Sequence, residues 1–571
     1  LLKRRIALAN PLLDFKELLF CKRVPTSYSH LVMQYYGWRA RPGGGLFVLE
    51  QPGKSLRARD ILAGKLSTGN VLEPRLSYDG RRIVFSYVEC PHGPLDPAKV
   101  ANDDSPDRQF YHIWEVNSDG TGLRQLTDGP YDDVMPCPLP DGGIAFMSTR
   151  RRGYARCFGP QFSPRWDVYT LHRMDGGGGN VRTLSFHDTN EWFPAVSNTG
   201  HIFYARWDYI DRDAVTHQTL WASRPDGTSP MAVWGNATAK PHCTFQPQPI
   251  PESNKIIFTA SAHHSITGGP IAILDPSVAA DGETALERIT PEIPFPEAES
   301  RDIRQYYDSP WPLSEDFYLV GYSPYPLEWE PAANRPDALG LYLLDRWGNR
   351  ELIYRDAAIG SSNPCPLRPR PAPPVLASHL ADDAEPTGEV VLGDVYRGLG
   401  DIPRGRIKEL RIVQIFPKTT PLADSPPVGM AREENGRAVL GTVPVEADGS
   451  ARFLVPARKP LLFQALDADG FAWQTMRSVT YVQPGERVSC VGCHEPKMTA
   501  PPLTGSEPLA LGRAPSAIDP GRWGGRPFSF PEVVQPLLDR HCVSCHGSEK
   551  AEGNVVLTSE PAGTFTRSYV A

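Results

Sequence analysis

The sequence has no apolar run approaching the roughly 18 residues that a membrane-crossing helix needs, so no transmembrane segment is expected in this chain. It also lacks a block of concentrated positive charge. Its 59 Lys and Arg stand against 66 Asp and Glu, a net charge of −7, and the cations are scattered, which leaves no electrostatic footprint for a nucleic-acid partner. Long unbroken helical patterns are missing as well. With 50 Gly and 59 Pro the chain is punctuated by turns, which excludes a helical bundle and favours short strands. The first residue is Leu1 rather than Met, and Leu1-Leu-Lys-Arg-Arg has no signal-peptide apolar region, so a piece of a longer chain is expected, with no bearing on its compartment. Hydrophobic residues at 40% and charged residues at 22% are globular usage, and 571 residues call for two to four domains.

What is present is a repeat. Pro74-Arg-Leu-Ser-Tyr-Asp-Gly leads to Ile83-Val-Phe, Pro136-Cys-Pro-Leu-Pro-Asp-Gly to Ile144-Ala-Phe, and Pro194-Ala-Val-Ser-Asn-Thr-Gly to Ile202-Phe-Tyr. Looser copies start at Pro247, Pro310 and Pro364, the last leading to Pro374-Val-Leu. A strand, polar turn and strand precede each copy, at Leu46, Ile113, Val168, Leu220, Ile271 and Leu341. Turns such as Asp119-Gly120, Asp175-Gly176 and Asp226-Gly227 supply the left-handed backbone of tight hairpins. Four strands taken six times predict a mainly β protein with a six-bladed β-propeller over residues 44–375, after an N-terminal extension over 1–43. An array of β-sandwiches is the competing architecture.

Composition changes after the propeller. Arg368-Pro-Arg-Pro-Ala-Pro-Pro and the acidic Asp382-Asp383-Ala-Glu385 predict a linker over 376–386. Alternating segments at Val390, Leu410, Val443, Ala451 and Leu461 predict a β-rich middle domain over 387–488. Residues 489–571 are Pro/Gly-rich, with one short helix at Phe530-Pro-Glu-Val-Val-Gln-Pro-Leu-Leu-Asp-Arg, and read as a small cytochrome c-like domain.

That last region carries Cys490-Val-Gly-Cys493-His494 and Cys542-Val-Ser-Cys545-His546. Two thiols one short turn apart can add to the two vinyl groups of one porphyrin, and the adjacent imidazole reaches the iron, so two covalently bound haem c groups are expected, with His494 and His546 as iron ligands. A thioredoxin-like redox pair lacks its βαβ context here. Four thiolates around zinc are the other rival, but the wide separation of the two pairs and the His after each do not suit a zinc ribbon. Candidates for a further iron ligand are Met498 and His541 nearby, or His242, His263 and His264 on propeller loops.

Six cysteines remain, Cys21, Cys90, Cys137, Cys157, Cys243 and Cys365, an even number that permits three disulfides in an exported protein. Cys157 follows Arg150-Arg-Arg-Gly-Tyr-Ala-Arg, a cationic loop able to set a thiolate and guanidinium groups near an anionic cofactor; a solvated loop with a buried thiol is the plainer alternative.

The chain resembles the alpha subunit of hydrazine synthase and its planctomycete-type relatives, in Tyr35-Tyr-Gly-Trp-Arg-Ala-Arg-Pro-Gly-Gly-Gly, Ser148-Thr-Arg-Arg-Arg-Gly-Tyr-Ala-Arg-Cys, Tyr169-Thr-Leu-His-Arg-Met, Val443-Pro-Val-Glu-Ala-Asp-Gly-Ser-Ala and Met476-Arg-Ser-Val-Thr-Tyr-Val-Gln-Pro-Gly-Glu. The resemblance covers nearly the whole chain and implies a six-bladed propeller, a β-rich middle domain and a dihaem C-terminal domain in that order. It implies that the first haem lies at the active site, with Cys157 and His494 both ligating zinc, and that the second haem relays electrons. A tyrosine iron ligand is expected four residues after His494, where this chain has Met498; thioether and phenolate tune iron in opposite directions, so hydrazine synthesis itself does not carry over.

These readings combine into an exported, periplasmic-type dihaem cytochrome on a propeller scaffold. Its role is electron transfer or haem-based redox chemistry on small nitrogen compounds, with redox proteins or other subunits as partners. The alternative is a non-catalytic propeller that binds a polysaccharide or protein, with Trp192, Trp207, Trp221 and Trp311 lining its surface.

Overall fold

The computed structural model describes every residue except 1, 29, 97–107, 157–164, 265, 298–301, 330–331, 382–383, 423–424, 430–433, 494–506, 522–523, 526–527 and 564. The protein is mainly β, built of antiparallel sheets. Six inner strands, Gly69–Leu76, Asp133–Pro138, Glu191–Val196, Cys243–Pro249, Tyr306–Pro312 and Gly360–Pro366, each begin a four-stranded antiparallel unit. Each inner strand packs on the next, and Gly360–Pro366 packs back on Gly69–Leu76, which closes the ring and leaves as sheet edges only short outer strands such as Ala58–Asp60 and Arg124–Gln125. The third and fourth units are joined by one parallel pairing, Gln218 with Cys243.

The repeated prolines mark one geometric device. Glu73, Met135, Phe193, Gln246, Ser309 and Asn363, each the residue before a repeat proline, all have positive φ, from 46° to 57°. In the first five of these strands the pairing register shifts at that point, at Leu72/Arg75, Val134/Cys137, Trp192/Ala195, Phe245/Gln248 and Asp308/Trp311. The sixth strand shows the matching shift in its pairing with Glu17–Arg23. A bulge leaves one residue outside the ladder, and proline has no N–H to lose there. The six bulge side chains are buried and meet around the axis. Asn363 Nδ2 donates to Glu73 at 3.0 Å, Gln246 Nε2 to Ser309 Oγ at 3.1 Å, and the Phe193 N–H points at Met135 Sδ at 3.2 Å.

The N-terminal region departs from the reading as an extension outside the propeller. Glu17–Arg23 pairs with Gly45–Glu50 on one side and with Gly360–Pro366 on the other, so the last blade is assembled from both ends of the propeller segment. The strand expected at Pro374-Val-Leu does not form; residues 367–380 are irregular, because the place beside Gly360–Pro366 is already taken by Glu17–Arg23. Residues 31–40 are entirely buried and plug one end of the channel. Asp132 Oδ1 accepts the Gly37 N–H at 2.8 Å, and the Tyr36 hydroxyl donates to the Asp167 carbonyl at 2.7 Å. Only glycine fits at Gly37, where a Cβ would sit 2.4 Å from the Gln109 carbonyl oxygen.

The middle domain is a sandwich of two sheets, ordered Ala451–Pro456, Thr387–Asp394, Arg487–Gly492 and Arg437–Pro444, Glu409–Ile415, Leu461–Leu466, Ala472–Thr475, around a core that includes Ile412, Phe453 and Val455. The expected boundary at 489 moves: Arg487–Gly492 runs parallel to Thr387–Asp394 and completes the first sheet. Further on, Arg513 and Ser516 return to the same domain, on Glu446 and Arg452.

Leu18, Leu19, Phe20 and Cys21 are fully buried in the closing strand. At about 1.5 kcal/mol or more per buried apolar side chain, a chain starting at residue 24 is expected to lose on the order of 6 kcal/mol relative to one starting at residue 14. Denaturant unfolding of the two truncations checks this; equal midpoints would contradict closure by this strand.

Candidate functional site

The propeller and the middle domain are locked together by buried polar contacts. Arg206, fully buried and stacked 3.7 Å over the Trp221 ring, donates to the Val479 carbonyl and to Asp208. Gln483 Nε2 donates to the Leu184 carbonyl at 2.9 Å, and Asn435 Nδ2 to Asp188 at 2.8 Å. Glu486 accepts from the Ser229 N–H at 2.6 Å and the Gln483 N–H at 2.7 Å. Burial of so many polar groups is stable only with these partners in place.

The first thiol pair leaves this junction directly. Cys490 lies in Arg487–Gly492 opposite Leu392, half-buried against the middle-domain core, and the Cys493 N–H is held by the Arg397 carbonyl at 3.0 Å with its side chain exposed. His494 and Met498 lie outside the described residues, as does Cys157. Both flanks of the Cys157 loop are nevertheless fixed: Tyr154 bridges to Lys418 and Arg165 to Leu422, both in the middle domain. The loop is therefore tied to the same domain that presents Cys490 and Cys493. Its arginines differ from the cationic cluster expected. Arg150 is spent on a bidentate pair with Asp133, at 2.9 and 2.7 Å, and Arg151 is turned onto the Ser185 and His187 carbonyls. Arg151 still borders a cavity of about 500 Å³ shared with Arg458 and Lys459 of the middle domain.

The second thiol pair is fully described. Helix Gln535–His541, entered through the wider turn Phe530–Val534, ends at Cys542. The N–H groups of Cys545 and His546 return to the Cys542 carbonyl, at 3.0 and 2.9 Å, so both thiols and the imidazole sit on one tight turn. His546 Nδ1 is 3.3 Å from the Val555 carbonyl oxygen, which can only accept a proton. That contact holds the proton on Nδ1 and leaves the Nε2 lone pair for a metal, the second-shell arrangement of a ligating imidazole. The residues present therefore fit a haem c at this position. His541 is exposed at the end of the helix, one residue from Cys542.

Other expectations change. Cys21, Cys90, Cys137, Cys243 and Cys365 are buried free thiols, not disulfides, because none has a second thiol within bonding geometry among the described residues. Burial pushes Cys21, Cys90 and Cys365 up to about 11, which keeps them protonated and unreactive. Trp192, Trp207 and Trp221 are core residues, so they do not form an outer binding surface; Trp311 is half-buried. His242 is buried beside Glu297, at 3.4 Å. His263 and His264 come together with His30, a residue the sequence reading passed over because it lies far away in the chain.

Residues 405–495 match the family model described as the hydrazine synthase alpha subunit middle domain. Among solved structures, Kuenenia stuttgartiensis hydrazine synthase superposes over 97% of this chain and 84% of that chain, with a TM-score of 0.72 at 17% identity, a likeness of fold. TolB from Acinetobacter baumannii matches 62% of this chain and 66% of its own, at 12% identity and a TM-score of 0.36, too low to carry an argument. No curated protein matches the sequence.

Burial raises Glu486 to about 7 from an ordinary 4.5. The folded protein then holds a proton that the unfolded chain releases above about pH 4.5, so stability falls as pH rises from about 4.5 through about 7. Glu486→Gln is expected to remove part of this slope, on the order of 2 kcal/mol between pH 5 and 8, in unfolding midpoints measured across that range. An unchanged slope would contradict it.

Proposed function

We propose that this hydrazine synthase alpha-like chain is a dihaem c-type cytochrome that carries electrons or performs haem-based redox chemistry on small nitrogen compounds. The observation that carries the reading is the Cys542–His546 turn. It offers two thiols on one side and an imidazole whose Nδ1 is engaged by the Val555 carbonyl. Cys542 and Cys545 would hold the macrocycle by thioether bonds, with His546 Nε2 on the iron; Cys490 and Cys493 would hold the first haem in the same way, with His494 on its iron or, as the resemblance implies, on zinc. A haem bound there supplies one-electron chemistry at its iron.

The chain's own contribution is positional. Val555 orients the His546 ring, and the Arg397 carbonyl and the parallel strand fix the first thiol pair against the propeller junction. The zinc ligands implied by the resemblance, Cys157 and His494, gain support from the Tyr154 and Arg165 bridges, which tie the Cys157 loop to the domain preceding His494. Met498, in place of the tyrosine, points away from hydrazine formation and toward a different substrate or electron transfer alone. Attachment of haem to thiols belongs to an exported, oxidising compartment, where redox proteins or other subunits would be partners. Among the described residues no helix is long and apolar enough to cross a membrane.

Pyridine haemochrome analysis of protein matured with c-type machinery is expected to give two haems per chain, and one in a Cys542→Ser, Cys545→Ser variant. Fewer than two in the unaltered chain would overturn the assignment. Carbon monoxide added to the reduced protein separates the two roles: a spectral shift supports a haem open to substrate, and none supports electron transfer alone.

A further inference from the structure

His30, His263 and His264 converge although they come from the residue just before the channel plug and from the fourth propeller unit, with one ligand nitrogen from each lying within 4.8 Å of the others. His30 Nε2 and His263 Nε2 are 3.1 Å apart. Metal–imidazole bonds of about 2.0–2.1 Å in a tetrahedral centre set neighbouring ligand nitrogens about 3.3 Å apart, close to that spacing. The walls are aromatic: Trp166 packs on His30 at 4.0 Å and Trp207 on His263 at 5.0 Å. His30 and His263 are buried and His264 is partly exposed, so the cluster has a solvent side.

We propose that His30, His263 and His264 form a three-histidine site for a divalent transition metal, separate from the thiolate-containing zinc site that the resemblance implies. Three neutral imidazoles are the ligands that zinc, copper, iron and cobalt accept, and three protein ligands with a fourth position open to water or a small anion make a reactive rather than a purely structural site. Burial holds His30 and His263 well below the ordinary histidine range, so both are neutral and competent to ligate. As placed, Gln218 Nε2 lies 2.7 Å from His263 Nδ1; ligation through Nε2 requires the amide turned over, so that Oε1, which has no other partner, accepts the Nδ1–H and leaves the Nε2 lone pair for the metal. On His30 the corresponding contact, from the Val32 N–H to Nδ1, is long at 3.4 Å and is given up when Nε2 ligates. The metal-free alternative is a hydrogen-bonded chain, Val32 to His30 to His263 to Gln218, which the same atoms can make.

The test uses the full haem-loaded chain stripped with a chelator and titrated with Co²⁺, in a Cys157→Ser background that removes the thiolate ligand. The expected result is one cobalt per chain by elemental analysis after removal of free metal, and at least a 100-fold loss of affinity in His263→Ala and in His264→Ala. His264→Ala alters a partly exposed side chain and is expected to keep the unfolding midpoint, so its loss of cobalt cannot be ascribed to misfolding. No cobalt bound by the folded Cys157→Ser protein, or undiminished binding in folded His264→Ala, would overturn the site and establish the hydrogen-bonded chain. Neither outcome touches the haem assignment, which is read independently from the haemochrome.

Discussion

The structure depends on closing the ring of inner strands at the axis. Six residues at equivalent positions accept a positive φ that non-glycine residues rarely adopt, and each is followed by proline. Strain of this kind persists only where surrounding packing over-determines it. Here the bulges turn side chains from different blades toward each other, polar on one side of the axis through Glu73, Asn363, Gln246 and Ser309, and apolar on the other through Met135 and Phe193. With the axis filled and the last blade zipped by Glu17–Arg23, one end of the channel can be plugged by residues 31–40.

That closed ring is a rigid base for the chemistry placed on it. Arg206, Gln483, Asn435 and Glu486 fasten the middle-domain sandwich to the third blade and its neighbours. The strand that carries Cys490 and leads into Cys493 belongs to that sandwich, so the first thiol pair is set by the middle domain. The second pair follows a different logic, a helical turn in a largely exposed C-terminal segment.

Local signals were readable from the sequence, and contacts between distant segments were not. The prolines at 74, 136, 194, 247, 310 and 364 announced the repeat because the bulge recurs with the same neighbours each time. Glu17–Arg23 carries no such proline and no hairpin turn of its own, and its partner Gly360–Pro366 is at the other end of the propeller segment, so its role could not be inferred locally. The two Cys-x-x-Cys-His units stand out in the sequence because their signal is spacing along the chain, which needs no distant contact to be seen. His30 does not, since nothing near it in sequence hints at His263 and His264. Arg150 and Arg151 looked like a free cationic patch only because Asp133, on the strand before, and the Ser185 and His187 carbonyls, in the loop before Glu191–Val196, are distant in sequence.

The central claim is covalent capture of two haems by this chain, and peptide mass spectrometry of the matured protein tests it most directly. The account predicts that the peptides spanning Cys490–Cys493 and Cys542–Cys545 each carry one haem through both thiols. Recovery of both peptides with unmodified, alkylatable cysteines would contradict it.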